Sequence, residues 1–176
     1  TPLWSLTLGA RQEHYEAYDG VNQNTTLARY QDRSRNTFSP KVSLSFEPIP
    51  AWGFRAAFGK AYRFPTVTEL FQQLTVSNTI VTNNPNLKPE EIYSSEITAE
   101  RRFANGLARA SLFREDRYDA LISQTNVSPV PPLTNSTSYV QNVDHVRIYG
   151  IELATEWKNA IIPKLDLVAN ATLTDS

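Results

Sequence analysis

Side chains able to do chemistry are unevenly spread along this chain of 176 residues. Nucleophilic and metal chemistry are thinly supplied: there is no Cys, and the two His residues, His14 and His145, stand far apart. Without Cys there is no thiolate zinc site and no cysteine nucleophile. No G-x-S-x-G, H-E-x-x-H or Walker spacing occurs, so the usual sequence signs of an activated serine, a catalytic zinc or a phosphate cradle are missing. The carboxylates Glu90-Glu91 and Asp116/Asp119 carry no sign of the desolvated cleft that acid–base work needs. The chain therefore reads as a non-enzyme with no cofactor and no metal site of its own. Arg is instead concentrated with aromatics. Tyr15, Tyr18, Arg29, Tyr30, Arg33 and Arg35 share one polar stretch, and Arg63 and Phe71 open another. Guanidinium forks bind planar anions bidentately and rings stack on flat ligands, so the set suits an anionic, aromatic small molecule. Taken singly, each residue is better explained as solvated loop surface.

Charge and composition exclude several partners. Seventeen Lys and Arg against 18 Asp and Glu give a net charge of −1, so no positive field gathers nucleic acid. No apolar run reaches the length of a membrane-crossing helix, and the first residues lack a basic, then apolar leader. Neither absence bears on strands, because a barrel strand alternates apolar and polar residues and hydropathy averaging hides it.

That alternation is what the chain shows. Trp4, Leu6, Leu8 and Ala10 share one face over residues 3–11, and Val42, Leu44 and Phe46 do so over 41–47. Further alternating runs fall at 52–62, 92–103, 147–157 and 165–174. Residues 107–122 also read as a strand, but Phe113 breaks step with Ala110 and Leu112. A bulge would reconcile it, and the facing of this strand stays open. Seven long strands result, joined by polar stretches at 13–37, 64–90 and 125–138 that alternate with short turns at 48–51, 104–106 and 158–163. Long loops on one side and tight turns on the other are the habit of outer-membrane barrels. The Asn105-Gly106 pair marks one of the tight turns.

The aromatics Trp4, Trp52, Tyr62, Tyr93, Phe103 and Trp157 lie near strand ends, where interfacial girdles form. Arg55, Glu96, Glu100, Arg102, Glu152, Glu156, Asp166 and Asn170 fall on the opposite face, toward a wet interior. Arg101, on the apolar row, is placed near a short turn. The fold class is thus all-β, a partial transmembrane antiparallel β-barrel with long extracellular loops. A passive porin or adhesin barrel shares this pattern, and a soluble β-sandwich is the rival from outside the membrane.

Several runs carry a family resemblance. Phe38-Ser39-Pro40-Lys41-Val42 is followed by Gly59-Lys60-Ala61-Tyr62-Arg63-Phe64-Pro65-Thr66-Val67-Thr68-Glu69-Leu70-Phe71, by Asn84-Pro85-Asn86-Leu87-Lys88-Pro89-Glu90, and by Tyr149-Gly150-Ile151-Glu152-Leu153. In this order they resemble TonB-dependent outer-membrane receptors. The resemblance implies a barrel of roughly 22 strands around a plug, and residues 1–176 as one segment of that barrel domain with the plug absent. The start at Thr1 rather than Met and the odd strand count agree with a segment. It also implies a place in the bacterial outer membrane, contact with its lipid, and energised uptake of a ferric siderophore or other metal complex. TonB would act through the missing plug region. Some haem receptors of this kind carry Arg-Ala-Pro and Asn-Pro-Asn-Leu boxes with a ligand His between. Here the corresponding motif residues are Tyr62, Arg63, Phe64, Pro65 and Asn84, Pro85, Asn86, Leu87, and no His lies between them, which turns the expectation from haem to siderophores.

Overall fold

The computed structural model describes residues 3–22, 28–76, 79–82, 84–127 and 136–176. Seven long strands carry the architecture: β1 (Trp4–Ala17), β4 (Arg33–Ile49), β5 (Trp52–Arg63), β8 (Glu90–Phe103), β9 (Gly106–Val127), β10 (Ser136–Trp157) and β11 (Leu167–Asp175). They pair in that order, each antiparallel to the next, as one curved up-and-down wall. Between them lie a small hairpin of β2 (Val21–Asn22) and β3 (Ala28–Arg29), the short helix α1 (Val67–Phe71), β6 (Leu74–Val76) and β7 (Thr79–Thr82). The upper end of β10 takes β7 as a parallel neighbour, while its lower end takes β11.

The seven alternating runs are the seven wall strands, and their upper ends reach further than the pattern suggests. Tyr15 pairs with Arg35 and Ala17 with Arg33, so these residues belong to strands rather than to the expected 13–37 loop. The third upper excursion is likewise built of strand: β9 and β10 pair up to Val127 and Ser136. The lower turn after Trp157 runs over 158–166, so the long–short rhythm fails at this last pair. Asp166 sits in that turn and accepts from the Asn159 amide at 3.1 Å, instead of lining the inner face of a strand.

No bulge occurs at Phe113. The β8–β9 register runs unbroken from Glu91↔Tyr118 to Phe103↔Gly106, and Phe113 stands opposite Glu96 on the polar face. On its other side it stands opposite Gly150. A Cβ on Gly150 would come within 2.8 Å of the Phe113 ring and 2.3 Å of the Leu173 carbonyl oxygen. A polar-face aromatic covering a strand glycine explains the broken step. The register shift instead lies between Phe46 and Ile49, where Pro48 has no N–H for the ladder.

The two faces differ sharply. The inner face of the lower wall is a polar lattice. Arg55 bonds Glu96 at 3.0 Å, Thr98 donates to the same carboxylate at 2.8 Å, and Glu100 takes both Arg102 and Arg109. The outer face is apolar and uncovered: Leu8 is 71% exposed, Ile97 64% and Leu173 72%. A soluble sandwich would have buried that face against a second sheet. The lower rim of the apolar belt is aromatic, with Trp4 stacked on Phe46 and Phe103 on Trp157, and Arg101 over the Trp52 ring at 4.8 Å. The upper rim carries Tyr93, Tyr118 and Tyr149. Phe103 and Tyr93 stand ten positions apart on β8. At about 3.3 Å per residue and a strand tilt near 40°, that is roughly 25 Å of height, the thickness of an outer-membrane apolar band.

Candidate ligand-binding mouth

The wall rises above the belt, and the stretches 64–73 and 84–89 fold inward against its inner face. Sequence chemistry explains how this segment docks. Thr66 caps α1 in a capping box: its hydroxyl accepts the Glu69 amide, and the Glu69 carboxylate accepts the Thr66 amide at 2.7 Å. Glu69 also takes the Arg63 guanidinium at 2.8 Å. Burial opposes this carboxylate, but the Thr66 and Arg63 hydrogen bonds outweigh it and hold its pKa below the usual range. The capped turn aims Leu70 and Phe71 at the wall, where both are buried.

The Asn84-Pro85-Asn86-Leu87 run forms the second anchor. Asn84 Oδ1 accepts the Asn86 amide at 3.0 Å, and the Asn84 amide donates to the Glu69 carbonyl at 3.1 Å. This turn drives Leu87 into a fully buried site with Ala17, Leu70 and Phe71, against which Tyr15, Tyr30, Leu121 and Val140 pack. The contacts join β1 to β9 and β10 across the inside of the mouth. Asn142 completes the crossing by accepting the Lys88 amide at 2.9 Å and donating to the Lys88 and Asp119 carbonyls.

Five of the eight candidate binding residues take part in this docking. The Tyr15 hydroxyl donates to the Pro65 carbonyl at 3.1 Å and its ring stacks on Phe64 at 4.6 Å. Burial pushes that hydroxyl's pKa up. Arg33 donates to the Pro85 carbonyl at 2.5 Å. Tyr30 stacks on Phe71 at 4.9 Å, over Gly20, where a Cβ would lie 2.9 Å from the Phe71 ring. Arg63 holds Glu69, as above. Tyr62, the remaining motif residue with a polar group, donates to Glu91 at 3.2 Å. Tyr18, Arg29 and Arg35 are exposed. Arg35 lines a cavity of about 180 Å³ with Tyr15, Arg33, Pro65, Leu87 and Pro89. A larger concavity of about 580 Å³ lies lower on the inner wall, against Lys41, Arg55, Glu96 and Glu152.

The two histidines stay out of the mouth. His14 pairs with Asn36 in register, on the opposite face from Tyr15, and bonds Asn36 and Glu16 at 2.8 Å each. His145 stacks on Tyr118 at 4.7 Å on the outer face. Among the described residues no group of three His, Cys, Asp or Glu is placed to hold a metal ion. The anchors Glu69, Leu70 and Leu87 were missed as a set by sequence reasoning. The Thr66-x-x-Glu69 spacing is the signal that could have found the helix.

Residues 1–176 match the family described as TonB dependent receptor-like, beta-barrel. The chain belongs to this family. It is therefore a stretch of an outer-membrane β-barrel receptor of Gram-negative bacteria, in a family of transporters rather than enzymes. Among curated relatives, it is 26% identical over 162 residues to heme/hemopexin utilization protein C of Haemophilus influenzae (strain 86-028NP), covering 80% of this chain and 22% of that protein. The chain spans about a quarter or less of the length of the curated relatives it matches. Among solved structures, the copper transporter OprC superposes with a TM-score of 0.73 at 18% identity, over 99% of this chain and 27% of that one. The siderophore receptor PirA from Pseudomonas aeruginosa gives 0.66 at 16% identity, over 82% and 29%. Likeness at these identities speaks for the fold of the receptor barrel, seven of whose wall strands are seen here.

Proposed function

We propose that this stretch forms wall and extracellular mouth in a receptor that takes up a ferric siderophore by energised transport. The plug that TonB acts on would come from another part of the receptor, and the apolar belt would face outer-membrane lipid. One observation carries the ligand reading: the inner mouth presents Arg35 beside Arg33 and Tyr15, while both histidines of the chain turn outward. A siderophore brings its own iron ligands, so the protein need supply only charge and stacking surface. Haem calls for an axial ligand, commonly a neutral imidazole, and this mouth has none from His14 or His145.

The haem-utilisation relatives favour a second reading, in which a Tyr or a residue elsewhere in the receptor ligates haem iron. The deciding experiment uses the intact receptor, titrated by fluorescence quenching with a panel of catecholate and hydroxamate ferric siderophores and with haemin. Tight siderophore binding, weakened about tenfold or more by Arg35→Ala, is the expected result. Tight haemin binding with no response to any ferric siderophore would replace this reading with the second.

A further inference from the structure

On the outer wall, at the upper rim of the apolar belt, one carboxylate organises two guanidinium groups. Asp116 accepts Arg114 Nε at 2.6 Å and Arg147 Nε at 2.8 Å, with His145 Nε2 at 2.9 Å. The carboxylate is 13% exposed while the two Arg side chains remain about half exposed. It fixes the cations in place and stays beneath them. Among the described residues, both terminal nitrogens of Arg147 and one of Arg114 have no protein acceptor.

Position and neighbours narrow what these donors meet. Arg114 stands opposite Tyr149, and Asp116 opposite Tyr93. The pair therefore lies at the tyrosine rim, just above Leu112 and Ile151 of the belt. Of the nearby carboxylates, Glu91 is paired with Lys60, and Asp175 accepts the neutral Tyr149 hydroxyl at 2.7 Å. Two permanent cations around one anion, with free forked donors at the apolar–polar boundary, match a phosphate monoester attached to a lipid. Forked donors bind phosphate oxygens bidentately, and the boundary is where lipid headgroups lie.

We propose that Arg114 and Arg147 form a binding site for the phosphorylated headgroup of an outer-leaflet lipid. The site is independent of the transported ligand, because it faces away from the mouth. It holds one phosphate, while the acyl chains lie along Leu112, Ile151 and Leu153.

The test is native mass spectrometry of the intact receptor in non-ionic detergent. The added probes are diphosphorylated lipid A, its dephosphorylated form and inorganic phosphate. The wild type is expected to retain the phosphorylated lipid, and Arg114→Gln with Arg147→Gln to weaken it by about thirtyfold. The inner-wall variant Arg55→Gln is expected to leave retention unchanged. If the double Gln variant fails to assemble, the double Lys variant keeps the charge but loses the fork, and a loss of threefold or more is expected. Equal retention of phosphorylated and dephosphorylated lipid would overturn the proposal. So would equal binding by wild type and an assembled double Gln variant, or inorganic phosphate displacing the lipid at matched concentration.

Discussion

Replacing Leu87 by Ala tests whether the inward-folded segment is held by its own small core. Leu87 has no exposed surface and packs with Ala17, Leu70 and Phe71. Truncating a fully buried Leu costs about 2–5 kcal/mol, the transfer term plus a cavity. This core touches the wall only at the mouth, so the loss falls on local opening rather than on the barrel. Three amides report that opening: Leu70 bonded to Thr66, Gln72 to Thr68 and Asn84 to Glu69. Their hydrogen exchange in Leu87→Ala is expected to rise by roughly thirtyfold to several-thousandfold, since about 1.4 kcal/mol is a factor of ten. Wall amides of β8 and β9 below Tyr93 are expected to keep their wild-type rates. Exchange at the three reporters within about threefold of wild type would refute the docking argument. Equal acceleration in the wall would show instead that mouth and barrel open as one unit.

Other perturbations read other parts of the structure. Glu69 has a folded-state pKa below its unfolded value, so it stabilises the docked segment above the unfolded carboxylate range, near about 4.3. That stabilisation disappears as pH falls through the folded value, and the exchange advantage of wild type over Glu69→Gln at the Leu70 amide is expected to vanish there. Gly150→Ala forces a Cβ against the Leu173 carbonyl, a backbone atom that cannot turn aside. Its wall is expected to lose about 1–3 kcal/mol, seen as a lower melting temperature in detergent. Ile97→Arg puts a charge on the exposed belt and is expected to cost about 2–4 kcal/mol of barrel stability in bilayers. Ser94→Arg, on the inner face, is expected to cost much less in the same equilibrium-unfolding measurement.

The wall was legible because a strand with one apolar and one polar face writes a two-residue period into the sequence. Trp4, Leu6 and Leu8 or Val42, Leu44 and Phe46 need no tertiary information to be placed together. Phe113 misled for a local reason: its partner is a glycine on the next strand, and cross-strand neighbours are invisible along one strand. Strand ends above the belt were hidden because Arg33, Arg35 and Tyr15 look like loop residues. The packed segment beside them, which buries Ala17 and part of Tyr15, supports the extended pairing there. Docking itself was unreadable as a whole, since Leu87 stands alone between Asn86 and Lys88 and nothing along the chain links it to Leu70 and Phe71. The Thr66-x-x-Glu69 spacing, not used in the sequence reading, is the one local sign that the stretch holding Leu70 has a folded start.

The docked segment also divides the candidate binding residues into two groups that behave differently when altered. Arg33 and Arg35 are near neighbours of the same type, two positions apart on β4, so both sit on its inner face. Arg33 gives its guanidinium to the Pro85 carbonyl, whereas Arg35 is exposed at the edge of the small cavity. A charged group bonded to a neutral carbonyl contributes about 1.5–3 kcal/mol. Arg33→Ala is therefore expected to speed exchange at the Asn84 amide by roughly tenfold or more. Any loss of ligand affinity in that variant follows from a displaced segment. Arg35→Ala is expected to lower affinity for an anionic complex while leaving the Asn84 amide at its wild-type rate. Measured side by side on the intact receptor, the two variants separate positioning from contact. If both move affinity and exchange together, Arg35 is one more docking residue, and the ligand's charge is met elsewhere on the mouth.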